Sequence, residues 1–526
     1  MSQAAPTYPE EIDGAVLKIA GVVVLGAIMS ILDITVVNVA LPTFQNVFSD
    51  GGSPVAYSTV AWTVTAYTLA LATVIPLTGW AADRFGPKRL YMLAILLFTA
   101  GSALCAAANS INMLIGFRVL QGLGGGMLMP LGMTILTHAA GPKRMGRLMA
   151  ILGVPMLLGP ILGPILGGYL IEHASWHWIF LINLPIGLIA LVYAYFALED
   201  DKPVPSESFD FLGMAMMSPG LALFLFGVSS IPTDGIGSAK VLITGILGII
   251  LIVAFIFHAF RPEHPLLDLR LFKNRLLSVS TITMFLFVAA FFGGLLLVPT
   301  YFQQVRGEST LDAGLLVAPQ GIGAMLTMPI AGALVDKFPV GRIVPFGLVL
   351  IIAGMFGLTQ IGPDTSYWGY IIPVLFIMGL GMGGTMMPIM TSALKTLTHH
   401  EVARGSTLIN IIQQIGSSVG VAIMSTVLTD RLKSSDLVQT GQAIMERQQH
   451  KPPLPPTAEQ MQVVAQAGGQ KSFMAQVASD MAGAFSTTFW VAAILCLLTI
   501  IPAFFLPRKP LPESPAGEES APMMMH

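Results

Sequence analysis

Two ionisable residues, Asp33 and Arg118, lie inside long apolar runs of the sequence. A charged side chain that faces hydrocarbon costs several kcal/mol, so we expect both side chains to face the protein interior. A buried carboxylate can bind and release a proton, and a nearby guanidinium can stabilise its charged form. The pattern therefore predicts proton exchange at Asp33, in contact with Arg118.

Other reactive patterns are missing from the sequence. It contains no G-x-x-x-x-G-K-[ST] phosphate loop, no H-E-x-x-H zinc motif and no Ser, His and Asp that we can place at one depth. Its two cysteines, Cys105 and Cys496, lie in apolar runs and are expected to be small core residues. A net charge of -2 without a basic stripe argues against a nucleic-acid partner. We expect no enzyme, no metal and no cofactor.

The composition places the two ionisable residues in a membrane. Charged residues make up 10% of the 526 residues, where about 25% is usual, and apolar residues make up 54%. A helix needs roughly 20 mostly apolar residues to cross the hydrocarbon core. We therefore predict an all-α membrane protein with 14 transmembrane helices. The predicted spans are 16–41, 57–78, 90–108, 111–136, 147–170, 177–198, 211–229, 240–260, 276–298, 311–334, 343–361, 367–394, 404–428 and 485–506.

Lysine and arginine predict the orientation of the chain. Seventeen of them fall in alternate loops and the C-terminal tail, whereas the other short loops hold only Lys240 and Arg306. Because positive residues favour the cytoplasmic side, both termini are expected in the cytoplasm and the protein in the cell membrane. The tails, 1–15 and 507–526, are expected to be short, and no removable signal peptide is evident.

In this orientation Asp33 and Arg118 should lie at similar depth. Asp33 is about eight residues, and Arg118 about six residues, from the outer end of its span. At 1.5 Å per residue of helix, both lie roughly 10 Å below the outer surface. We expect them to line the same outer cavity, in direct contact or bridged by water. The alternative is a static structural pair.

One outer connection, 429–484, is much longer than the others. Its centre, Lys451–Pro456, is rich in proline and should be stiff and extended. Thr457, followed three residues later by Gln460, is typical of a helix-starting capping box. We expect either a helix that lies on the membrane surface or a disordered polar loop.

The two halves of the chain repeat each other. The segment Gly79–Arg89 is echoed by Gly332–Arg342, and Gly122–Pro130 is echoed by Gly379–Pro388. Each second copy comes eight spans after the first, which predicts a six-helix bundle, two inserted transmembrane helices and a second six-helix bundle. These three parts are predicted at 16–200, 211–260 and 276–506.

The repeated segment Gly79–Arg89 suggests a moving contact. Gly86 and Pro87 favour a tight turn, and Asp83 can accept hydrogen bonds from loop groups or face a helix N-terminus. The segment resembles the G-x-x-x-D-R-x-G-x-K-R loop of the major facilitator superfamily, which implies a conformational latch between two parallel bundles. The second copy has Pro339 in place of Gly86. The implied latch residues are Gly79, Asp83, Arg84, Gly86, Lys88, Arg89, Asp336 and Arg342.

The span 147–170 is rich in glycine and proline. Its glycines recur every four residues and line one helix face, which allows close backbone packing, and its prolines should bend the helix. The run Gly159–Gly168 resembles the motif of proton antiporters in the same superfamily, and we expect a sliding surface between the halves. The alternative is that glycine and proline are simply common in membrane helices. The residues concerned are Gly159, Pro160, Gly163, Pro164, Gly167 and Gly168.

Further segments resemble signatures of the fourteen-span drug/proton antiporters of that superfamily. Leu32–Pro42 resembles L-D-x-T-x-x-N-x-A-L-P, and Arg118–Gly122 is similar to R-x-x-Q-G. Trp176–Gly187, His264–Phe272 and Asn410–Gly420 also look typical, although Gln413 stands where arginine is common. The resemblance implies a proton and substrate site in the first half and a cavity in the second half. The residues are Asp33, Asn38, Arg118 and Gln121, and then Asn410, Gln413 and Gln414.

The residues and the resemblance together predict proton-driven efflux of lipophilic, neutral or monovalent cationic drug-like compounds. The expected partners are a small lipophilic substrate, protons and membrane lipids, and no accessory protein is indicated. A second hypothesis is export of one endogenous lipid, siderophore or peptide with incidental drug efflux. A membrane enzyme or receptor on this scaffold lacks a catalytic constellation, and uptake by symport is disfavoured by Gly159–Gly168.

Overall fold

The computed structural model describes residues 13–49, 55–140, 144–200, 208–395, 397–398, 401–449 and 455–508. Every regular element within these ranges is a helix. The first nine α-helices are α1 (Gly14–Val47), α2 (Tyr57–Phe85), α3 (Pro87–Ala106), α4 (Ile111–Ala140), α5 (Met145–His173), α6 (Trp178–Leu181), α7 (Asn183–Ala197), α8 (Phe211–Asp234) and α9 (Ala239–His258). The others are α10 (Arg275–Gln304), α11 (Thr310–Leu316), α12 (Ala318–Lys337), α13 (Val340–Leu358), α14 (Ile372–Gly383), α15 (Met386–Lys395), α16 (Val402–Lys433), α17 (Asp436–Gln449), α18 (Ala458–Gln466) and α19 (Gln470–Ala503).

The number of long helices agrees with the predicted all-α membrane fold. Among the described residues, 13 helical segments are long and apolar enough to cross a membrane. The one predicted span without a counterpart among these 13 is 147–170. It lies within α5, whose 29 residues give a helix about 43 Å long. The chain is therefore a multi-pass membrane protein.

Three predicted spans, 177–198, 311–334 and 367–394, are broken into shorter pieces. A 3-10 turn (Leu269–Lys273) precedes α10, and a π-helical turn (Tyr367–Ile371) precedes α14. Each helix that follows a break carries proline within its first three residues, and proline cannot donate the hydrogen bond that would join the pieces. The prolines are Pro185 in α7, Pro319 in α12, Pro373 in α14 and Pro388 in α15.

The repeated glycines allow matching helix contacts in the two halves. In the first half, Gly122 of α4 packs so close to the backbone of Tyr67 in α2 that a side chain there would collide with its carbonyl. In the second half, Gly379 of α14 packs in the same way on the carbonyl of Gln320 in α12. The repeat seen in the sequence therefore corresponds to a repeated close crossing of helices.

Two helix pairs make the most extensive contacts between the halves. α5 packs against α12, and α2 packs against α16. In addition, α5 packs against α11 and α15, and α4 packs against α16. The inserted helices α8 and α9 pack against each other, and α8 also contacts both α2 and α16. One of the two joints is thus covered by an inserted helix. The division at 16–200, 211–260 and 276–506 stays a prediction.

The outer connection 429–484 is largely helical where the structure describes it. The end of α16, all of α17 and α18, and the start of α19 fill most of it. Thr457 and Gln460 form the predicted capping box at the start of α18. Val438, Phe473 and Val477 are buried against one another. The disordered-loop alternative is therefore wrong for this part, because these apolar side chains give the segment a small core. Of the predicted stiff stretch Lys451–Pro456, only the last two prolines lie within the described residues.

Candidate functional site

Four polar side chains from three helices meet inside the first half. α1 supplies Asp33, α4 supplies Arg118 and Gln121 one turn apart, and α7 supplies Asn183. The Asp33 carboxylate is in direct contact with the Arg118 guanidinium. It also accepts hydrogen bonds from Gln121 Nε2 at 2.8 Å and Asn183 Nδ2 at 3.4 Å. The cluster therefore presents three donors to one carboxylate.

The Arg118 side chain is fixed by further contacts. Its Nε donates to the carbonyl of Thr63 at 2.9 Å, and its Nη1 also donates to Gln121 Oε1 at 2.8 Å. The guanidinium carbon lies 4.1 Å from the centre of the Tyr67 ring, a cation–π contact. Within the part of the chain that the structure describes, its Nη2 has no hydrogen-bond partner. A buried ion pair needs such extra bonds, since desolvation of both charges is costly.

The cluster agrees with one part of the predicted site and corrects another. The direct contact between Asp33 and Arg118 is present, but both side chains are enclosed, with 1% and 0% exposure. They do not line an open outer cavity in this conformation, because Tyr67 and Asn183 pack over them. Asn38 is exposed and lies away from the cluster, since five residues at about 100° each place it roughly 140° around α1 from Asp33.

Asn183 is a member of the cluster that the sequence did not single out. Its Nδ2 also donates to Ser102 Oγ at 3.1 Å, and Ser102 donates to the carbonyl of Phe180 at 2.9 Å. Asn183 is 2% exposed. The available signal was its place in Trp176–Gly187, where it is the one amide side chain in an otherwise apolar helix start.

The first predicted latch segment does join the two halves. Asp83, near the end of α2, lies 3.4 Å from Nε of Arg404 in α16. Gly79 packs against Thr407 and the backbone of α16. Gly86 has a φ of 90°, which favours glycine and lets α2 turn directly into α3.

The remaining residues of this segment have other positions. Arg84 and Arg89 are exposed. Lys88 donates to the carbonyl of Leu198 at 2.8 Å and to Asp200 at 2.9 Å. These contacts fix the end of α7 within the same half. These contacts of Lys88 therefore lie within the first half.

The second copy of the segment also joins the halves. Asp336, at the end of α12, accepts hydrogen bonds from the backbone N–H groups of Gly146 at 3.0 Å and Arg147 at 3.3 Å, at the start of α5. Lys395 Nζ donates to the same carboxylate at 3.0 Å. A carboxylate at a helix N-terminus is stabilised by the partial positive charge there. Arg342 is exposed and lies outside this contact.

The glycine face of α5 has a different partner from the one predicted. Gly159 packs against Ile31, and Gly163 packs against Thr35, both in α1 of the same half. Gly167 likewise packs against α1, and Gly168 has open space around its Cα. The prediction of a glycine surface between the halves is wrong, because the glycine face of α5 turns towards α1. Of the two prolines in this run, Pro164 is half-buried, and the side chain of Pro160 lies outside the described residues.

Three other glycines of the α5–α12 pair lie at the joint. Gly146 of α5 and Gly332 of α12 pack backbone to backbone. Gly153, further along α5, packs against Met328 of α12. Close approach of the halves therefore depends on glycines in the N-terminal part of α5.

The predicted residues of the second half lie along α16. Asn410 donates to the carbonyl of Ser406 at 2.8 Å and reaches Met133 Sδ in α4 at 3.1 Å, so it crosses to the other half. Ser406 Oγ lies 2.9 Å from Thr134 Oγ1, also in α4. Gln413 and Gln414 are half-buried. Asn410 therefore lies at the joint between the halves, and the cavity of the second half stays a prediction.

A fold of two repeated helical bundles, joined at two seams and enclosing a buried ion pair, defines a membrane transporter. The family model of the Major Facilitator Superfamily matches residues 23–421. The chain belongs to the Major Facilitator Superfamily, and it is a transporter rather than an enzyme.

Individual comparisons give the same family. The chain is 46% identical over 513 residues to the multidrug resistance protein B homolog of Mycobacterium tuberculosis (strain ATCC 25618 / H37Rv), covering 96% of this chain and 92% of that protein. It is 32% identical to the putative multidrug resistance protein MdtD of Enterobacter sp. (strain 638), covering 77% and 85%. The crystal structure of the human organic anion transporter MFSD10 matches with a TM-score of 0.57 at 16% identity, covering 93% of this chain and 100% of that chain. This last likeness concerns the fold alone.

Proposed function

We propose that the protein exports lipophilic, neutral or monovalent cationic drug-like compounds across the cell membrane in exchange for protons. The observation that carries this proposal is the enclosed Asp33 carboxylate, held by Arg118, Gln121 and Asn183. Such a group inside a membrane is expensive and is commonly retained for proton or substrate binding. The multidrug-resistance names of two relatives support drug-like substrates.

Exchange follows if proton binding at Asp33 and release of the substrate belong to the same conformational change. When Asp33 is ionised, Arg118, Gln121 and Asn183 all donate hydrogen bonds to its carboxylate. A proton that arrives from the outside neutralises the Asp33 carboxylate, so the attraction that holds Arg118 and the two amides in this arrangement weakens. The substrate leaves outwards as the proton binds, and the halves rock so that the proton is released into the cytoplasm. Both termini lie in the cytoplasm in this scheme.

Transport in reconstituted vesicles tests the proposal. Purified protein is placed in vesicles with an imposed pH gradient, and internal pH is followed with a trapped dye while ethidium or tetraphenylphosphonium is added. Proton movement opposite to the substrate is expected for the wild type, and Asp33→Asn should abolish it because asparagine cannot exchange a proton.

The matched control is Asp234→Asn, which removes an exposed carboxylate paired with Lys240 at 2.7 Å. This variant should transport normally. Proton movement in the same direction as the substrate would indicate symport. Silence across many drugs, with movement on adding one lipid, siderophore or peptide, would favour a narrow endogenous substrate.

A further inference from the structure

We propose that the second half contains a loading site for the neutral, oxygen-bearing part of a lipophilic substrate. The site lies between α10, α15 and α16, and it is formed by Thr281, Met284 and Gln413 with aliphatic side chains around them. The inference rests on the proposed export function and names the class of substrate that it handles.

The first observation is an unsatisfied hydroxyl. Thr281 is 6% exposed and lines a cavity between the three helices, and its Oγ1 has no hydrogen-bond partner among the described residues. The cavity is too narrow for a water molecule in this conformation. Buried polar atoms in proteins are nearly always paired, and each unpaired one costs about 1–3 kcal/mol. Two residues further along α10, Thr283 follows the usual pattern and donates to the carbonyl of Val279 at 2.7 Å.

The second observation is an amide donor that meets only sulfur. Gln413 Nε2 lies 3.8 Å from Met390 Sδ and 4.0 Å from Met284 Sδ. A thioether is a weak acceptor, so a carbonyl or ether oxygen would replace it with a gain in hydrogen bonding. Met284 also lines the cavity of Thr281, so the amide of Gln413 reaches one wall of that cavity. Methionine side chains adapt their shape readily, so they can move aside for varied ligands.

The third observation is the position of this cavity next to a closed seam. Ile409, which lines it, is followed by Asn410, which contacts Met133 of the other half. One turn nearer the inner end of α16, Ser406 contacts Thr134. These contacts must separate when the halves open inwards, and their separation gives the cavity room to widen. A substrate from the cytoplasm or the inner leaflet would then reach Thr281 and Gln413.

The lining determines the chemical class. None of the residues that line this cavity is charged. The first half differs, because Arg118 precedes Gly122 by four residues whereas the apolar Leu375 precedes the matching Gly379. An uncharged site with a free hydroxyl and a free amide favours a neutral molecule with a hydrogen-bond-accepting oxygen. Proton chemistry and recognition of neutral oxygen groups thus occupy different halves.

Binding of two radiolabelled probes to purified protein in lipid nanodiscs tests this site. Chloramphenicol is neutral and carries an amide carbonyl, whereas tetraphenylphosphonium is a lipophilic cation without oxygen. Thr281→Val keeps the side-chain shape and removes the hydroxyl. It should weaken chloramphenicol binding about fivefold, the effect of one lost hydrogen bond, and leave tetraphenylphosphonium binding within twofold. Gln413→Met should act in the same direction.

The matched control is Thr283→Val, whose hydroxyl already has a partner within α10. This variant should bind both probes as the wild type does, and thermal melting of each variant verifies that the fold is intact. Equal effects of Thr281→Val and Thr283→Val, or wild-type protein that fails to bind chloramphenicol, would overturn the site. Selective binding without proton-coupled transport would instead refute the proposed function and leave the site standing.

Discussion

At the scale of single residues, the arrangement around Asp33 fits an ionised carboxylate. Arg118, Gln121 and Asn183 all donate to it, and an ionised carboxylate is an acceptor only. A protonated Asp33 would itself donate through one oxygen, so one of these donors would lose its acceptor. Proton uptake therefore disturbs several buried hydrogen bonds together and can favour another packing of α1, α4 and α7.

The buried ion pair leads to a prediction on stability. Arg118→Ala leaves the Asp33 charge enclosed without its counter-ion, which should cost about 3–5 kcal/mol at neutral pH. Adding Asp33→Asn to Arg118→Ala should recover part of that loss, because the unpaired charge is gone. Thermal melting of purified protein, followed by tryptophan fluorescence, measures both effects.

The control for this comparison is Lys240→Ala, which breaks a pair on the surface. Lys240 and Asp234 are 50% and 34% exposed, and such pairs contribute about 0–1 kcal/mol. If Arg118→Ala destabilised the protein no more than Lys240→Ala, the ion pair of Asp33 would contribute no more to the free energy of unfolding than a surface pair.

At the scale of elements, one carboxylate closes the inserted hairpin. Asp210 caps α8 by accepting from the N–H of Gly213 at 2.8 Å, and it also binds Nε2 of His258, the last residue of α9, at 2.7 Å. The N–H of Leu266, in the linker after α9, donates to it at 3.1 Å. Burial alone would raise the pKa of Asp210, but the bonds from His258, Gly213 and Leu266 outweigh it and hold the pKa below its ordinary value.

Asp210→Asn should therefore destabilise the protein in a pH-dependent way. A carboxyl whose pKa is lowered by folding stabilises the fold above its unfolded pKa of about 3.8 and loses that contribution as pH falls through the lower folded value. At pH 7 the variant should be less stable by about 1 kcal/mol, because asparagine has one acceptor oxygen instead of two, so either Gly213 or Leu266 loses its hydrogen bond. The difference in melting temperature from the wild type should shrink below about pH 4.

The surface variant Asp234→Asn is a suitable comparison, since Asp234 does not cap α8 and its pair with Lys240 of α9 is exposed. Its effect on melting should be small at pH 7. A difference for Asp210→Asn that grew as the pH fell would contradict the role assigned to that carboxylate.

The sequence predicts elements better than it predicts their partners. Length and apolarity determined the spans, since a membrane helix must satisfy its backbone hydrogen bonds internally, whichever helices pack against it. The four-residue spacing in α5 likewise determined a smooth face on that helix. It did not determine the neighbour, and Gly159 and Gly163 pack on α1 instead of the other half. Periodicity defines a face, whereas tertiary packing selects what covers it.

The same distinction explains the candidate site. Asp33 and Arg118 were predictable because a lone charge in an apolar span must find a partner. Asn183 was not singled out, because an amide can be satisfied by many groups and its partner depends on how α7 crosses α1. Thr281 carries no sequence signal at all, since most buried threonines in helices bond to their own backbone, as Thr283 does.

At the scale of the whole molecule, the two seams are related but unequal. One carboxylate from each half contacts the first turn of a helix in the other half: Asp83 meets α16, and Asp336 meets α5. The Asp336 side chain is 6% exposed and the Asp83 side chain 28% exposed. The inserted helix α8 lies along the α2 and α16 seam only. The α5 and α12 seam therefore relies more on its own carboxylate.

With the proposed orientation, in which both latches lie at the cytoplasmic face, this inequality predicts which latch matters more for opening towards the cytoplasm. Asp336→Asn removes a buried charge that accepts several hydrogen bonds, so it should favour the inward-open state by roughly tenfold, whereas Asp83→Asn should have a smaller effect. Ser406→Cys, placed in a Cys105→Ala and Cys496→Ala background, reports opening, because Ser406 is 0% exposed while the seam is closed. Its rate of labelling by a maleimide from the cytoplasmic side should rise more with Asp336→Asn than with Asp83→Asn. Asp200→Asn, which breaks only the exposed contact with Lys88 inside one half, should leave the rate unchanged. Faster labelling with Asp83→Asn than with Asp336→Asn would mean that the seam covered by α8 is the weaker one.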